Sequence, residues 1–258
     1  MWYYKFRSLR TNVGIGKSVI FALPLFLLFI KPVMSQAVSN SEYHHHRALA
    51  GEIISPVIRY AGSPYLFEQW SSGEVILRSG AVIQVERIRY DGLSDVLLWL
   101  TPDDNSHVAV DKGLIQGFHM RHPQRDDVLF FYMNDLLEEP PLDCEQCFVQ
   151  LLETGSFSLY ARRSIRATSR TENVVFGGES HQMRLLANDF TFYLSTPDGN
   201  TFRIRPDRRS FTRVFSDYPR ETRQAVRRIG RQVGGESDLV HAVRDLNALY
   251  ASDPALFD

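Results

Sequence analysis

The chain is short of several things that would settle its class at once. Of its 258 residues only two are cysteine, Cys144 and Cys147, too few for a disulfide scaffold. Lysine nearly vanishes after the first 31 residues, where Lys112 is the sole example and every other cation is arginine. No apolar run outside the N-terminus is long enough to cross a bilayer, which excludes a polytopic membrane protein. There is no G-x-S-x-G and no H-E-x-x-H, so neither a nucleophile elbow nor a zincin helix is present. Gly14-Ile15-Gly16-Lys17 lacks the spacing of a phosphate loop. What remains is 44% apolar, 12% aromatic and 23% charged, a globular composition.

Residues 1–37 have the three parts of a secretory signal. Lys5, Arg7, Arg10 and Lys17 form a basic start without an acid, Val19 to Ile30 carries no charge, and Ser35-Gln36-Ala37 places small residues at the −3 and −1 positions of a cleavage site. The apolar run falls short of the roughly 20 residues that a stable membrane helix needs, so no transmembrane anchor is expected after cleavage. Loss of this leader removes five of the 29 cations and none of the 30 acids, leaving a formal net of −6. A mature chain of that charge is no general nucleic-acid binder. The expected location is exported, in the periplasm or outside the cell.

After a flexible, polar lead-in at 38–50 with His44-His45-His46, the chain reads as strands. Glu74–Arg78 and Ala81–Tyr90 flank Ser79-Gly80 and predict a hairpin, and Asp91-Gly92 marks the next turn. Val96–Leu100, His107–Val110, Leu114–Met120 and Val128–Met133 continue at a spacing of roughly 8–12 residues, the pattern of a meander, sandwich or barrel. Glu138-Glu139-Pro140-Pro141 is a hard break. Phe148–Leu152 and Ser156–Arg162 predict a second hairpin, turning at Thr154-Gly155. Residues 166–182 are polar and predict a loop, after which Met183–Leu186, Phe190–Ser195 and Thr201–Arg205 resume strand character. Helical spacing then appears, at Ser210–Phe215 and over Pro219–Val233. A helix capped by Ser237 follows, with Leu239, Val243, Leu246 and Tyr250 on its apolar face. The expected fold is mainly β, a meander forming a sandwich or an open barrel, with two short C-terminal α-helices at about 210–250 (α+β). It fills one domain over 51–250, followed by a tail at 251–258.

Cys144-Glu145-Gln146-Cys147 is the one compact reactive motif. A redox C-x-x-C opens a helix, where the thiol pKa falls. Here Pro140-Pro141-Leu142-Asp143 precedes it and a β-like run follows, while Asp143 and Glu145 raise a thiol pKa. In an oxidising compartment a disulfide between Cys144 and Cys147 is the leading expectation. Free or redox thiols stay open, and so does a metal site recruiting His122 or His181. His119-Met120-Arg121-His122 allows a general base near a strand end. Asp103-Asp104-Asn105 and Asp126-Asp127 lack the pattern of a calcium loop and predict solvated turns. No cofactor and no metal is expected.

Charge is distributed unevenly. Residues 91–153 hold thirteen acids and three cations, whereas residues 203–231 hold ten arginines and three acids. Arg220, Arg223, Arg227 and Arg231 recur at spacings of three, four and four, forming a helical stripe flanked by Arg228. Such a stripe repels itself, and an anionic partner relieves the repulsion. Candidate partners are lipid phosphates, acidic glycans and acidic protein surfaces, including this chain's own 91–153 segment.

Gly62-Ser63-Pro64-Tyr65-Leu66-Phe67, Trp70, Gly73-Glu74-Val75 and Ile88-Arg89-Tyr90-Asp91 together resemble the opening of a family of uncharacterised secreted proteins of Bacteroidota type. These proteins run G-x-P-Y-L and later L-R-Y-N, where this chain has Asp91 for the Asn. Phe148–Gly155 resembles a later hairpin of that family, and Phe215-Ser216-Asp217, Glu236–Val240 and Leu246-Asn247 its C-terminal helices. The resemblance implies an exported β domain with C-terminal helices and no known activity. The function expected on these grounds is a non-enzymatic envelope protein, a structural or binding module with an anion-facing arginine surface. The alternatives are a thiol-disulfide oxidoreductase using Cys144 and Cys147, and a hydrolase whose site is scattered along the chain.

Overall fold

The computed structural model describes residues 49–55, 60–133 and 146–257. The expected signal peptide, nearly all of the expected lead-in, Pro140-Pro141 and Cys144 lie outside these. The described residues all belong to one unit, 41–258.

Among the described residues, twelve strands form one continuous open sheet in the order β1-β6-β5-β4-β3-β7-β8-β9-β10-β11-β12, with β2 added to β11. They are β1 Gly51–Ile54, β2 Tyr60–Ala61, β3 Ser71–Leu77, β4 Val82–Asp91, β5 Val96–Leu100, β6 His107–Val110, β7 Ile115–Arg121, β8 Val128–Met133, β9 Phe148–Glu153, β10 Ser158–Phe176, β11 Glu179–Ser195 and β12 Thr201–Ile204. Of the sandwich and open-barrel expectations, the pairing is that of a single open sheet. All pairings are antiparallel except β2 with β11. The sheet curls: the N–H of Ile165 on β10 donates to the carbonyl of Gly92, at 2.8 Å, although β10 lies five strands away from β4 in the sheet order. Gly92 is needed at this contact, because a Cβ there would sit 2.6 Å from the Arg163 carbonyl.

Curling gives the first half an interior of its own. Tyr90, Phe118, Phe131 and Phe148 meet there, with Phe118 stacked on Phe131 at 4.6 Å and Phe148 edge-on to Phe118 at 5.0 Å. Each ring is 0–1% exposed, and burying such side chains stabilises by about 1.5–3 kcal/mol apiece. The Tyr90 hydroxyl donates to Asp95, which also takes Lys112 Nζ at 2.6 Å and the Phe148 N–H at 3.3 Å. Burial first, and then the Asp95 charge, push the Tyr90 phenol well above its usual pKa.

The second half needs a cover, and the helices supply it. Phe157, Leu159, Ala161, Phe192, Leu194 and Ile204 of the sheet pack with Phe211, Phe215, Val226, Leu239, Val243 and Leu246. Three helices form where two were expected: α1 Arg208–Arg213, α2 Arg220–Ile229 and α3 Glu236–Ser252. Asp207 starts α1 by accepting the Ser210 N–H at 2.8 Å. α2 ends at Ile229 rather than continuing to 233: Gly230 is its C-cap and opens a 3-10 turn, packed so close to the Phe211 ring that a Cβ would lie 2.7 Å away. Asn247 on α3 holds the Phe157 N–H at 2.8 Å and its carbonyl at 2.9 Å, tying the helix to the β9–β10 turn. Of the expected tail, α3 takes in Ala251 and Ser252, and Phe257 packs against the core, 5.5 Å from Phe157 and 5.2 Å from Tyr250.

Residues 166–182 are not the expected loop. They belong to a long ribbon in which β10 and β11 pair from Ser158↔Ser195 to Phe176↔Glu179. The outer part is exposed on both faces, so it has no apolar alternation to betray it. The signal that does mark it is Gly177-Gly178: at φ +63° and +86°, these form the two-residue turn that right-twisted strands require.

Candidate anion-binding cleft

The arginines singled out from the sequence are placed as a solvated face. Arg220, Arg223, Arg227 and Arg228 lie on α2, and Arg231 follows in a 3-10 turn; all five are exposed. None makes an ion pair with a described residue, and none lines the cleft described below. Docking of this stripe onto the acids of 91–153 is therefore absent among the described residues. The opposite face of α2 is buried through Thr222 and Val226, and Val233 beyond the helix is buried as expected.

A different set of arginines converges. A cleft of about 710 Å³ opens where β11, the end of β12 and α1 meet. Asp189, Phe190 and Thr191 line it from β11, and Arg203, Arg205, Arg209 and Arg213 line it from the segment that follows. Each is placed by simple local rules. Arg203 on β12 and Arg205 just past its end flank buried Ile204, so they share the other face. Arg209 and Arg213 are four apart on α1, hence on one side of it, while Phe211 anchors the opposite side in the core. Both acids in the cleft are committed elsewhere: Asp189 pairs with Arg166 at 3.3 Å, and Asp207 caps α1. Arg205, Arg209 and Arg213 form no ion pair with a described residue. The cleft thus offers at least three guanidinium forks with no ion pair among the described residues, the geometry that suits carboxylate or phosphate. All of these cations belong to the arginine-rich run over 203–231, and Pro206-Asp207 was the one local signal that the chain turns among them.

Other polar clusters are structural or incomplete. Arg163, buried on β10, donates to Gln150 at 2.6 Å and in bidentate fashion to Glu236 of α3 at 2.7 and 2.6 Å, with Phe190 4.7 Å beneath it. Gln150 stands between Phe148 of the first core and Leu152, which packs on the second. This network therefore joins the two cores. Arg89 is stacked between Tyr65 at 3.5 Å and Trp70 at 4.2 Å, and donates to the Glu68 carbonyl at 3.0 Å; burial lowers its pKa.

His119 lies 3.5 Å from Glu74, which Gln84 holds at 2.7 Å, in a pocket of about 420 Å³ on β3, β4 and β7. Burial lowers the His119 pKa against the opposing pull of Glu74. No described hydroxyl or thiol bonds to it, and His122 contacts Phe67 instead. Asp104 is a turn residue. Its carboxyl is held at about 2 by hydrogen bonds from Thr101 and Ser106, as expected of a solvated turn. Arg125 and Asp127 pair with each other at 3.3 Å.

Cys147 precedes a strand, not a helix, and is 2% exposed. No cysteine is free among the described residues; Cys144 lies outside them. No group of three or more His, Cys, Asp or Glu among the described residues is placed to hold a metal. No helix among them is long and apolar enough to cross a membrane.

No family model, curated protein or solved structure matches this chain.

Proposed function

We propose that this chain is a non-enzymatic module of the bacterial envelope, exported by its leader, that binds an anionic partner. The observation that carries this reading is the cleft: three arginines with no ion-pair partner among the described residues face an opening of about 710 Å³ whose two acids are already engaged. An exported mature chain has anionic lipids, glycans and acidic proteins within reach. The scaffold is consistent with a passive role, since its buried polar groups mostly join elements to one another. The exposed arginines of α2, Arg220, Arg223, Arg227 and Arg228, together with Arg231 in the turn that follows, add a diffuse positive field that speeds encounter. The Cys144–Cys147 pair serves in this reading as a small structural bridge.

Binding of dextran sulfate to the mature chain tests the proposal. It should weaken steeply as salt rises. Replacing Arg205, Arg209 and Arg213 together by Gln should weaken it by roughly tenfold or more, about 0.5–1 kcal/mol being lost per charge. Equal binding by the wild type and the triple variant would overturn the assignment to this cleft.

A further inference from the structure

β11 has two partners along its outer edge and an opening between them. β2 pairs with it at Arg184 and Leu185, and β12 pairs with it from Phe192 onward. Gly62, at φ +94°, turns the chain away from the sheet as it passes Leu186. Pro206 has no N–H with which to extend a ladder, and β12 ends at Ile204, opposite Phe192. Residues 187–191 keep β10 on one side, while on the other no described backbone group bonds to them. At about 3.3 Å per residue the opening is about 17 Å long, room for roughly five residues of extended chain. The arginine cleft lies on this opening, since Asp189, Phe190 and Thr191 line both.

We propose that the open edge of β11 at residues 187–191 receives an acidic peptide in extended conformation as an added strand, its carboxylates meeting Arg205, Arg209 and Arg213. The inference rests on the anion-binding reading and names the partner of that same cleft. An unpaired sheet edge presents alternating N–H and C=O groups that a second chain satisfies along its whole length. Main-chain bonds of this kind supply affinity without sequence preference. The arginine forks supply the preference, because they sit just past the end of β12 and on α1, and carboxylates fit them bidentately. An inorganic anion uses only the second half of this arrangement, and a peptide uses both.

The test compares three probes on the mature chain: an alternating Glu-Val peptide of about eight residues, long enough to overrun the opening; the same peptide N-methylated along one bonding edge; and tripolyphosphate. The unmodified peptide should slow amide hydrogen exchange on residues 187–191 by roughly tenfold or more. Its N-methylated form, with the same charge, should bind roughly tenfold or more weakly. Arg209→Gln with Arg213→Gln should weaken the peptide further, with far-UV circular dichroism confirming the fold. Equal affinity for the two peptides, or peptide binding without slower exchange at 187–191, would overturn strand addition and leave the anion-binding cleft intact. Failure of all three probes to bind would remove the cleft reading as well.

Discussion

Glu236→Gln is the sharpest single perturbation of this fold, because it changes one charge and almost no volume. Glu236 opens α3 and grips Arg163 with both carboxylate oxygens, at 2.6 and 2.7 Å. The Arg163 side chain is 7% exposed and that of Glu236 37%. Removing the partner of a fully buried ion costs about 3–5 kcal/mol, whereas an exposed pair is worth about 0–1 kcal/mol. Here one partner is buried and the other partly wet. Gln retains one acceptor oxygen, and Gln150 and the Phe190 ring stay against the guanidinium. One charge-assisted bond is lost, about 1.5–3 kcal/mol before screening by water. The helix also loses an acid from its first turn, about 0.3–1 kcal/mol, at an end where Gly235 provides no side-chain cap. The expected total is about 2 kcal/mol, which lowers Tm by about 4–8 °C in a domain of this size. Thermal unfolding followed by circular dichroism measures it. A cycle with Arg163→Met isolates the pair, and the coupling should exceed about 1 kcal/mol. A Glu236→Gln variant that melts with the wild type, or a cycle additive within about 0.5 kcal/mol, would refute the claim that this network holds α3 to the sheet.

Replacing Arg220, Arg223, Arg227 and Arg231 together by Gln should leave Tm unchanged or slightly higher, since these side chains have no ion pairs with described residues and repel one another; a fall of several degrees in differential scanning calorimetry would reveal an internal partner. Stability should decline as pH drops from 7.5 to 5.5. Burial lowers the folded-state pKa of His107, His119 and His122 below 6.5, so below that value the unfolded chain takes up protons first, and the stability present at neutral pH is lost as pH falls through the folded values. His119→Gln should flatten that slope in Tm measured against pH, and a slope of the opposite sign would contradict the assignment. Non-reducing mass analysis of the exported protein should find it two hydrogens lighter than its reduced form if Cys144 and Cys147 are bridged; equal masses would return the thiol chemistry to consideration.

Much of the strand order could be read from the sequence, because half-buried strands write their period into it. β6 and β8 alternate in burial, and the turns need Gly or Asp: Gly80 at φ +85° closes the first hairpin, and Asp95 at φ +54° follows the Asp91-Gly92 turn. The outer ribbon was illegible for the complementary reason. Strands with solvent on both faces are held by a ladder and a turn, so Thr171–Arg184 shows polarity without period, and only Gly177-Gly178 gives it away. The buried polar residues were equally hidden. Arg163 and Glu236 are 73 positions apart, and nothing local distinguishes a cation that will be buried from one that will stay wet.

The candidate site shows the same limit most clearly. Within the run over 203–231, helical spacing selects the α2 stripe, because regular spacing is what a sequence displays. The structure spends that regularity on a solvated face and gathers Arg205, Arg209 and Arg213 instead, across a strand end, a proline and a six-residue helix. Their convergence depends on where β12 stops. Had the strand run three residues further, it would have paired with residues 189–191 of β11 and closed the opening that the cleft occupies, given its register of Ile204 on Phe192. The interruption at Pro206 thus leaves an edge unpaired and turns the chain so that α1 brings its cations alongside. A sheet edge left open is ordinarily a liability, guarded by charge or cover. Here four arginines face two acids, and both acids are paired or capping elsewhere, so the same residues that deter a second copy of this cationic edge favour a chain of opposite charge.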